Sequence, residues 1–271
     1  MGQFIPVVSM VTDSGGSVRD RSQIGGLTKG LMLVEAFDAA HTRMTISEAA
    51  LRVGISPAAA RRCLLTLVRL GYMQTDGKWF WLGHGALRVA YAYASSTRLP
   101  RLLQPALDAL SERTRESATL SVLDGHRVVI AARSTARQTM RVGLGVGSRL
   151  PLHCSAAGRA LLASLPREQW ELLVRCEPME PLTSQTVTTL TGLRRMLAAC
   201  QDLGYATCDE EIEMGVRSIA IPLQGQSGET LAALSISTKA ERMTLGEMVR
   251  QYLPTLLRTR EWARMSVFAK S

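Results

Sequence analysis

Aromatic side chains are scarce in this sequence: Trp, Tyr and Phe together make up 5% of its 271 residues. A core must therefore be filled by Leu, Ala, Val and Met, and at 46% hydrophobic residues the chain has enough of them to bury one. No apolar run approaches the roughly 18 residues of a membrane-spanning helix, so a helical membrane protein is excluded. The first residues lack a basic patch followed by a long apolar stretch; no secretory signal is expected, and the cytoplasm is the expected location. The five cysteines are odd in number and no two have C-x-x-C spacing. Neither a disulfide framework nor a zinc site is expected, and a reducing compartment fits. The four histidines show no H-E-x-x-H spacing, and there is no phosphate-binding or dinucleotide-binding glycine motif. His153-Cys154-Ser155 sets a base beside two nucleophiles, but adjacent side chains diverge and no G-x-S-x-G elbow surrounds Ser155. The sequence thus predicts no enzyme, no cofactor and no metal.

Acidic residues are also few. Against 32 Lys and Arg stand 23 Asp and Glu, a net charge of +9 that suits a polyanionic partner, nucleic acid in the simplest case. A basic protein without such a partner has the same balance, so position must decide. The length allows two modest domains. Residues 1–26, rich in Gly and Ser, read as a disordered tail. Helical spacing begins at Thr28, with Leu31 and Val34 on an apolar face and Glu35 and Asp38 on a polar one. Thr45-Ile46-Ser47-Glu48 is a capping box that opens a helix to Val53, and Gly54 ends it. Ser56-Pro57 starts the next helix, Ser as N-cap and Pro in the first turn, and Gly71 stops it. Asp76-Gly77 between two β-prone runs predicts a hairpin. Helix, helix, turn, helix, hairpin is the order of a winged helix-turn-helix, here residues 27–82.

The helix from Ser56 to Leu70 contains no acid. Leu64, Leu67, Val68 and Leu70 are expected to pack inward, while Arg52, Arg61, Arg62 and Arg69 lie on or beside the helix. Such a face suits a major groove, where arginine forks onto guanine edges or clamps phosphates. Lys78 in the wing suits backbone or minor groove. The plainer alternative is a helical hairpin whose arginines are only solvated.

Beyond a linker helix at 83–98, the pattern mixes helices with strands. Leu99–Glu116 is helical; Ala118–Leu123 and Arg127–Arg133 flank the hairpin signal Asp124-Gly125; Met140–Leu144 is strand-like. Helices are expected at Ser155–Ser164, Pro166–Cys176 and Thr189–Leu203, strands at Tyr205–Cys208, Ser218–Leu223 and Thr230–Ser237. A capping box at Thr244–Glu247 opens a last helix to about Arg264, leaving 265–271 as a tail. The fold class predicted is α+β: a winged helix-turn-helix followed by an α+β domain, 99–264, around an antiparallel sheet. In that domain, small residues at Ser155-Ala156-Ala157-Gly158 open a helix whose bare N–H groups suit a carboxylate; read alone, they fit close packing better. The acidic run Asp209-Glu210-Glu211 fits metal or acid–base chemistry, or a solvated loop. Ser235 and Ser237 share one strand face, turned to a pocket or to solvent.

The segment Ile55–Tyr72 resembles the recognition helix and wing start of IclR-type regulators, closest to the subgroup that controls aromatic-acid catabolism, the PcaR, PcaU and PobR kind. The resemblance extends over roughly residues 24–264. It implies operator DNA as partner, with Thr45, Ser47, Ser56, Ala58, Ala59, Arg61, Arg62 and Lys78 at the DNA. This chain has Ala59 where the subgroup commonly has threonine and Pro57 where it has a basic residue, so two usual DNA contacts are absent. The resemblance further implies a small carboxylate effector held by Ser155, Ala156, Ala157, Cys208, Asp209, Ser218, Ser235 and Ser237. It implies a homodimer through the N-terminal part or a homotetramer, with RNA polymerase as a further partner. Arg133, Arg141 and Arg149 suit a second carboxylate on the ligand, though spacing does not set their direction.

Overall fold

The structure, a computed structural model, describes residues 24–135, 144–225 and 227–268. These divide into two compact units, one ending at Thr97 and the other beginning at Arg98.

The first unit consists of α1 (Gly25–Glu35), α2 (Ile46–Val53), α3 (Pro57–Arg69), the hairpin β1 (Met73–Thr75) and β2 (Phe80–Leu82), and α4 (Gly85–Ser96). Its core is Leu33, Ala49, Ala60, Leu64, Met73 and Phe80. The capping box at α2 forms: the Glu48 amide donates to Thr45 Oγ1 at 3.3 Å, and the Thr45 amide donates to Glu48 Oε2 at 2.7 Å. Gly54 ends α2 at φ 71°, a left-handed conformation that a side chain disfavours. Asp76 shapes the wing, its Oδ1 accepting from the amides of Lys78 and Trp79.

Four expectations for these segments need correction. Gly25 and Gly26, read as tail, form the first turn of α1. Leu33 rather than Leu31 is the buried residue of that helix, because α1 presents a narrow face to α2 and α3. Leu70 caps α3 and is exposed rather than packed inward. At the other end of the chain, the expected tail from 265 continues as a π-helical turn, Arg264–Phe268, and Val267 is buried against the core of the second unit.

The second unit is built on a six-stranded antiparallel sheet in the order β5-β4-β3-β8-β7-β6: β3 (Ser117–Asp124), β4 (Arg127–Ser134), β5 (Arg149–Pro151), β6 (Ala206–Asp209), β7 (Val216–Gln224) and β8 (Thr230–Lys239). Alternation along each strand serves two cores. On one face α5 (Arg98–Thr114) and α9 (Leu245–Ala263) cover Leu120, Ile219, Ile221, Leu234 and Ile236. On the other face α6 (Ala156–Ala163), α7 (Arg167–Arg175) and α8 (Leu190–Leu203) cover Val128, Ile130, Ala220 and Ala233. The short edge strand β5 carries no sequence signal of its own. The strand expected at Met140–Leu144 lies outside the described residues except for Leu144, and Arg141 lies outside them altogether. No described helix is long and apolar enough to cross a membrane.

Candidate DNA-binding helix and effector pocket

In the first unit, α3 is held by its own chemistry. Ser56 Oγ accepts from the Ala59 amide at 3.3 Å, Pro57 occupies the first turn, and Ala60 and Leu64 bury the inner face. Ser47, Ser56, Ala58, Arg61, Arg62 and Arg69 are exposed, as is Lys78 at the tip of the wing. Thr45 is half-buried and its hydroxyl donates to Glu48 Oε2 at 2.8 Å, so it shapes the start of α2. Two expected members of the DNA-facing set are not free to face DNA. Ala59 is buried because its position on α3 turns inward beside Ala60. Arg52 is spent on the loop before α2: its Nε donates to the Ala36 carbonyl at 2.8 Å and its Nη2 pairs with Asp38 at 2.5 Å. Sequence reading missed Arg43, whose guanidinium stacks 4.0 Å over the Trp81 ring at the wing. Its only signal was a basic residue two positions before the α2 cap.

In the second unit, a cavity with about 670 Å³ of free space including its mouth lies between the sheet and the start of α6. Its enclosed part is about 60 Å³, well below the about 300–1,000 Å³ usual for small-ligand sites, so an aromatic acid would have to widen it. Ser155, Ala156, Ala157, Cys208, Ser218, Ser235 and Ser237 all line it. Asp209 does not. It follows Cys208 on β6, so the two-residue period turns it to the opposite face, where it pairs with Arg217.

The floor is a grid of hydroxyls set by strand register. Cys208 pairs with Ser218, Ser218 with Ser237, and Ser237 with Ser117, one row across β6, β7, β8 and β3. In the next row Thr119 pairs with Ser235, their hydroxyl oxygens 2.5 Å apart. Ser117 and Thr119 escaped sequence reading. The strand was expected to begin at Ala118, and hydroxyls at i and i+2 acquire meaning only beside Ser235 and Ser237.

One wall is the first turn of α6. Ser155 Oγ accepts from the Gly158 amide at 3.0 Å and donates to the Pro151 carbonyl at 2.6 Å. The first two helical amides, of Ala156 and Ala157, have no intrahelical acceptor and stand at the cavity. The small residues here do two jobs. Ala156 and Ala157 leave room at the cavity, whereas Gly158 permits close packing: a Cβ there would lie 2.4 Å from the Leu152 carbonyl oxygen. Gly158→Ala is therefore expected to displace the helix start and destabilise the protein by about 1–3 kcal/mol. Thermal denaturation checks this, and an unchanged midpoint refutes it.

The other wall includes Ile212 and Glu213; just before them, Glu211 of the acidic run is buried in an ion pair rather than solvated or free for metal or acid–base chemistry. Arg159 and Glu211 form a bidentate ion pair, both contacts 2.5 Å, at 1% and 6% side-chain exposure. Arg159 also donates to the carbonyls of His153 and Thr207, and Glu211 accepts from the Val187 amide. The His153-Cys154-Ser155 run does not converge. His153 Nε2 approaches the Glu180 carbonyl, burial pushes the Cys154 thiol up to about 12, and the Ser155 hydroxyl is occupied at the helix cap. Burial likewise raises the Cys208 thiol, which donates to the Cys154 carbonyl at 3.0 Å. Among the described residues no cluster of His, Cys, Asp and Glu is able to hold a metal ion.

Comparison with known proteins matches both units. Residues 26–77 match the IclR helix-turn-helix domain, and residues 91–264 match the C-terminal domain of bacterial transcriptional regulator IclR. The chain is 35% identical to the Pca operon regulatory protein of Acinetobacter baylyi, over 89% of this chain and 88% of the relative. It is 38% identical to the p-hydroxybenzoate hydroxylase transcriptional activator of the same organism, over 91% and 93%. The crystal structure of an IclR homologue from Microbacterium hydrocarbonoxydans, complexed with 4-hydroxybenzoate, superposes with a TM-score of 0.71 at 26% identity, covering 89% of this chain and all of that one. With a helix-turn-helix and wing preceding a domain with a hydroxyl-floored cavity, and both domain models matched, the chain belongs to the IclR family of bacterial transcriptional regulators.

Proposed function

We propose that this regulator responds to a small organic acid, aromatic or keto, and controls genes of aromatic catabolism. The cavity carries the reading: two open amides at the start of α6 suit a carboxylate, and the hydroxyl grid of β3, β7 and β8 suits its polar substituents. The p-hydroxybenzoate activator and the 4-hydroxybenzoate complex among its relatives support the same class of ligand. Ser155, Ala156, Ala157, Cys208, Ser218, Ser235 and Ser237 hold the effector within residues 99–264. Residues 27–82 bind operator DNA through α3 and the wing, with Ser47, Ser56, Ala58, Arg61, Arg62 and Lys78 at the duplex and Thr45 shaping the approach. Residues 83–98 link the two parts. The reaction chemistry is none: the protein binds and releases.

The active form is a cytoplasmic homodimer or homotetramer on a pseudo-palindromic operator, each half-site read by one subunit. Leu87, Val89 and Tyr91 on α4, and Leu27 and Leu31 on α1, are exposed apolar residues that a second copy would cover. Effector binding shifts the balance between two arrangements of the DNA-binding parts, or of their contacts with RNA polymerase, and so requires unequal affinity for the two.

The test is a gel shift on duplex DNA from upstream of its own gene, with and without hydroxybenzoates and keto acids, for wild type and for Ser235→Ala combined with Ser237→Ala. The double variant is expected to bind DNA like wild type and to lose its response to acid. An undiminished response would show the pocket to be misplaced. A wild type that binds DNA but ignores every acid would favour a DNA-binding oligomer without a sensing role.

A further inference from the structure

A second cavity lies in the same unit, bounded by the start of β4, the end of β5 and α7. It has about 820 Å³ of free space including its mouth, and its enclosed part is about 310 Å³, within the range of about 300–1,000 Å³ usual for small-ligand sites. It shares no lining residue with the effector pocket. The two part company on β5, where Leu150 lines the effector pocket and Pro151 the second cavity, because neighbours on a strand turn to opposite faces. Leu152 and His153 continue the second lining, and Ser155 returns to the first.

Apolar side chains, Leu152, Leu173, Val174 and Leu182, supply much of the enclosure. His153 is the polar exception among them. It is 6% exposed, and its Nε2 lies 3.4 Å from the Glu180 carbonyl oxygen, which can only accept. The proton therefore sits on Nε2, and Nδ1 of the neutral ring is an acceptor. Burial lowers the pKa of this imidazole, which favours the neutral form. Nδ1 has no partner among the described residues. Nor is it sealed in, since Ser121 Oγ is the one polar side-chain atom among them that is both sealed and unbonded. The surface left to Nδ1 opens on the cavity that His153 lines.

Charge sorts the possible ligands. Arg127 is the one guanidinium in the lining, and Glu177 already holds it through contacts of 3.0 and 2.5 Å; His126 bonds the same carboxylate at 2.7 Å. Glu180 adds a further carboxylate. An anionic ligand would find no spare arginine or lysine here, whereas an uncharged ring with one hydroxyl would find apolar walls and an open acceptor.

We propose that this cavity is a second small-molecule site that takes an uncharged phenol, the ring lying among Leu152, Leu173, Val174 and Leu182 and the hydroxyl donating to His153 Nδ1. It does not depend on the effector reading above, which concerns an acid in the other cavity.

Calorimetric titration of the full-length protein at about pH 8, where imidazole and phenol are both uncharged, tests it. The ligands are phenol and anisole, in which a methyl group replaces the hydroxyl proton. The proteins are wild type, His153→Leu, and Ser235→Ala combined with Ser237→Ala. Wild type is expected to bind phenol about tenfold tighter than anisole, the worth of one hydrogen bond. His153→Leu should erase that preference, and the double serine variant should keep phenol affinity within about twofold. Nitrogen NMR of the wild type with labelled histidine gives a reading that needs no variant to bind: of its four histidines, phenol should move the Nδ1 signal of His153, assigned by its absence in His153→Gln, and anisole should not. Equal affinity for phenol and anisole would overturn the proposal. So would a His153 signal unmoved at saturating phenol, or phenol binding that is lost with the two serines and kept in His153→Leu, which would put the phenol in the effector pocket.

Discussion

Arg159→Met is expected to cost the protein about 3–5 kcal/mol, because it leaves the Glu211 carboxylate buried without its counter-ion. The loss is larger than for an exposed pair since neither charge has water to fall back on. Arg159 bridges three pieces of chain by bonding the carbonyls of His153 and Thr207 as well as Glu211. Glu211 passes the constraint on through the Val187 amide, and Thr186 reinforces it by donating to the Glu211 carbonyl at 2.6 Å. The pocket residues Ala156, Cys208 and Ile212 each lie within three positions of a group in this network, so effector binding should weaken along with stability. Urea denaturation followed by circular dichroism measures the first effect. A double-mutant cycle with Glu211→Gln isolates the pair: removing both charges should cost much less than the sum of the single changes. A midpoint for Arg159→Met equal to that of wild type would show that the pair carries no stability.

Arg61→Ala combined with Arg62→Ala is expected to weaken operator binding by about 100-fold or more, each arginine contributing about 1–3 kcal/mol if it reads a base or grips a phosphate. Both are exposed on an α3 face without acids, while Ala60 and Leu64 behind them are fully buried. The fold of the helix therefore survives their loss. Measuring affinity against salt separates the two modes: a lost phosphate contact lowers the slope of log K against log salt by about 1, and a lost base contact leaves it and relaxes sequence preference. Effector affinity should stay at the wild-type value. DNA binding that stays within twofold of wild type would remove α3 from the interface.

Much of this architecture was legible because the rules that set it are local. Caps at Thr45, Ser56 and Thr244 and the left-handed glycine at 54 mark helix ends through bonds that span three or four residues. Asp76-Gly77 and Asp124-Gly125 mark hairpins for the same reason. The errors arose where burial overrode pattern. Leu31 and Leu70 are apolar but have no partner, and Ala59, small enough to touch a DNA backbone, is also small enough to be packed away. Asp209 stood in a plausible run of acids, yet a single step along β6 separates it from Cys208 and the cavity.

What the sequence determined by itself is the order and kind of the elements other than β5, the acid-free arginine helix, and the serine period on β8, since each depends on residues a few positions apart. Tertiary structure alone decided which hydroxyls stand together, that Glu211 is buried against Arg159, and that Arg133 turns to the pocket. Those outcomes depend on strand register, on a one-residue insertion in β4, and on a charge pair 52 positions apart. None of them leaves a periodic trace in the chain, because the partner that gives each its meaning arrives only when the sheet closes.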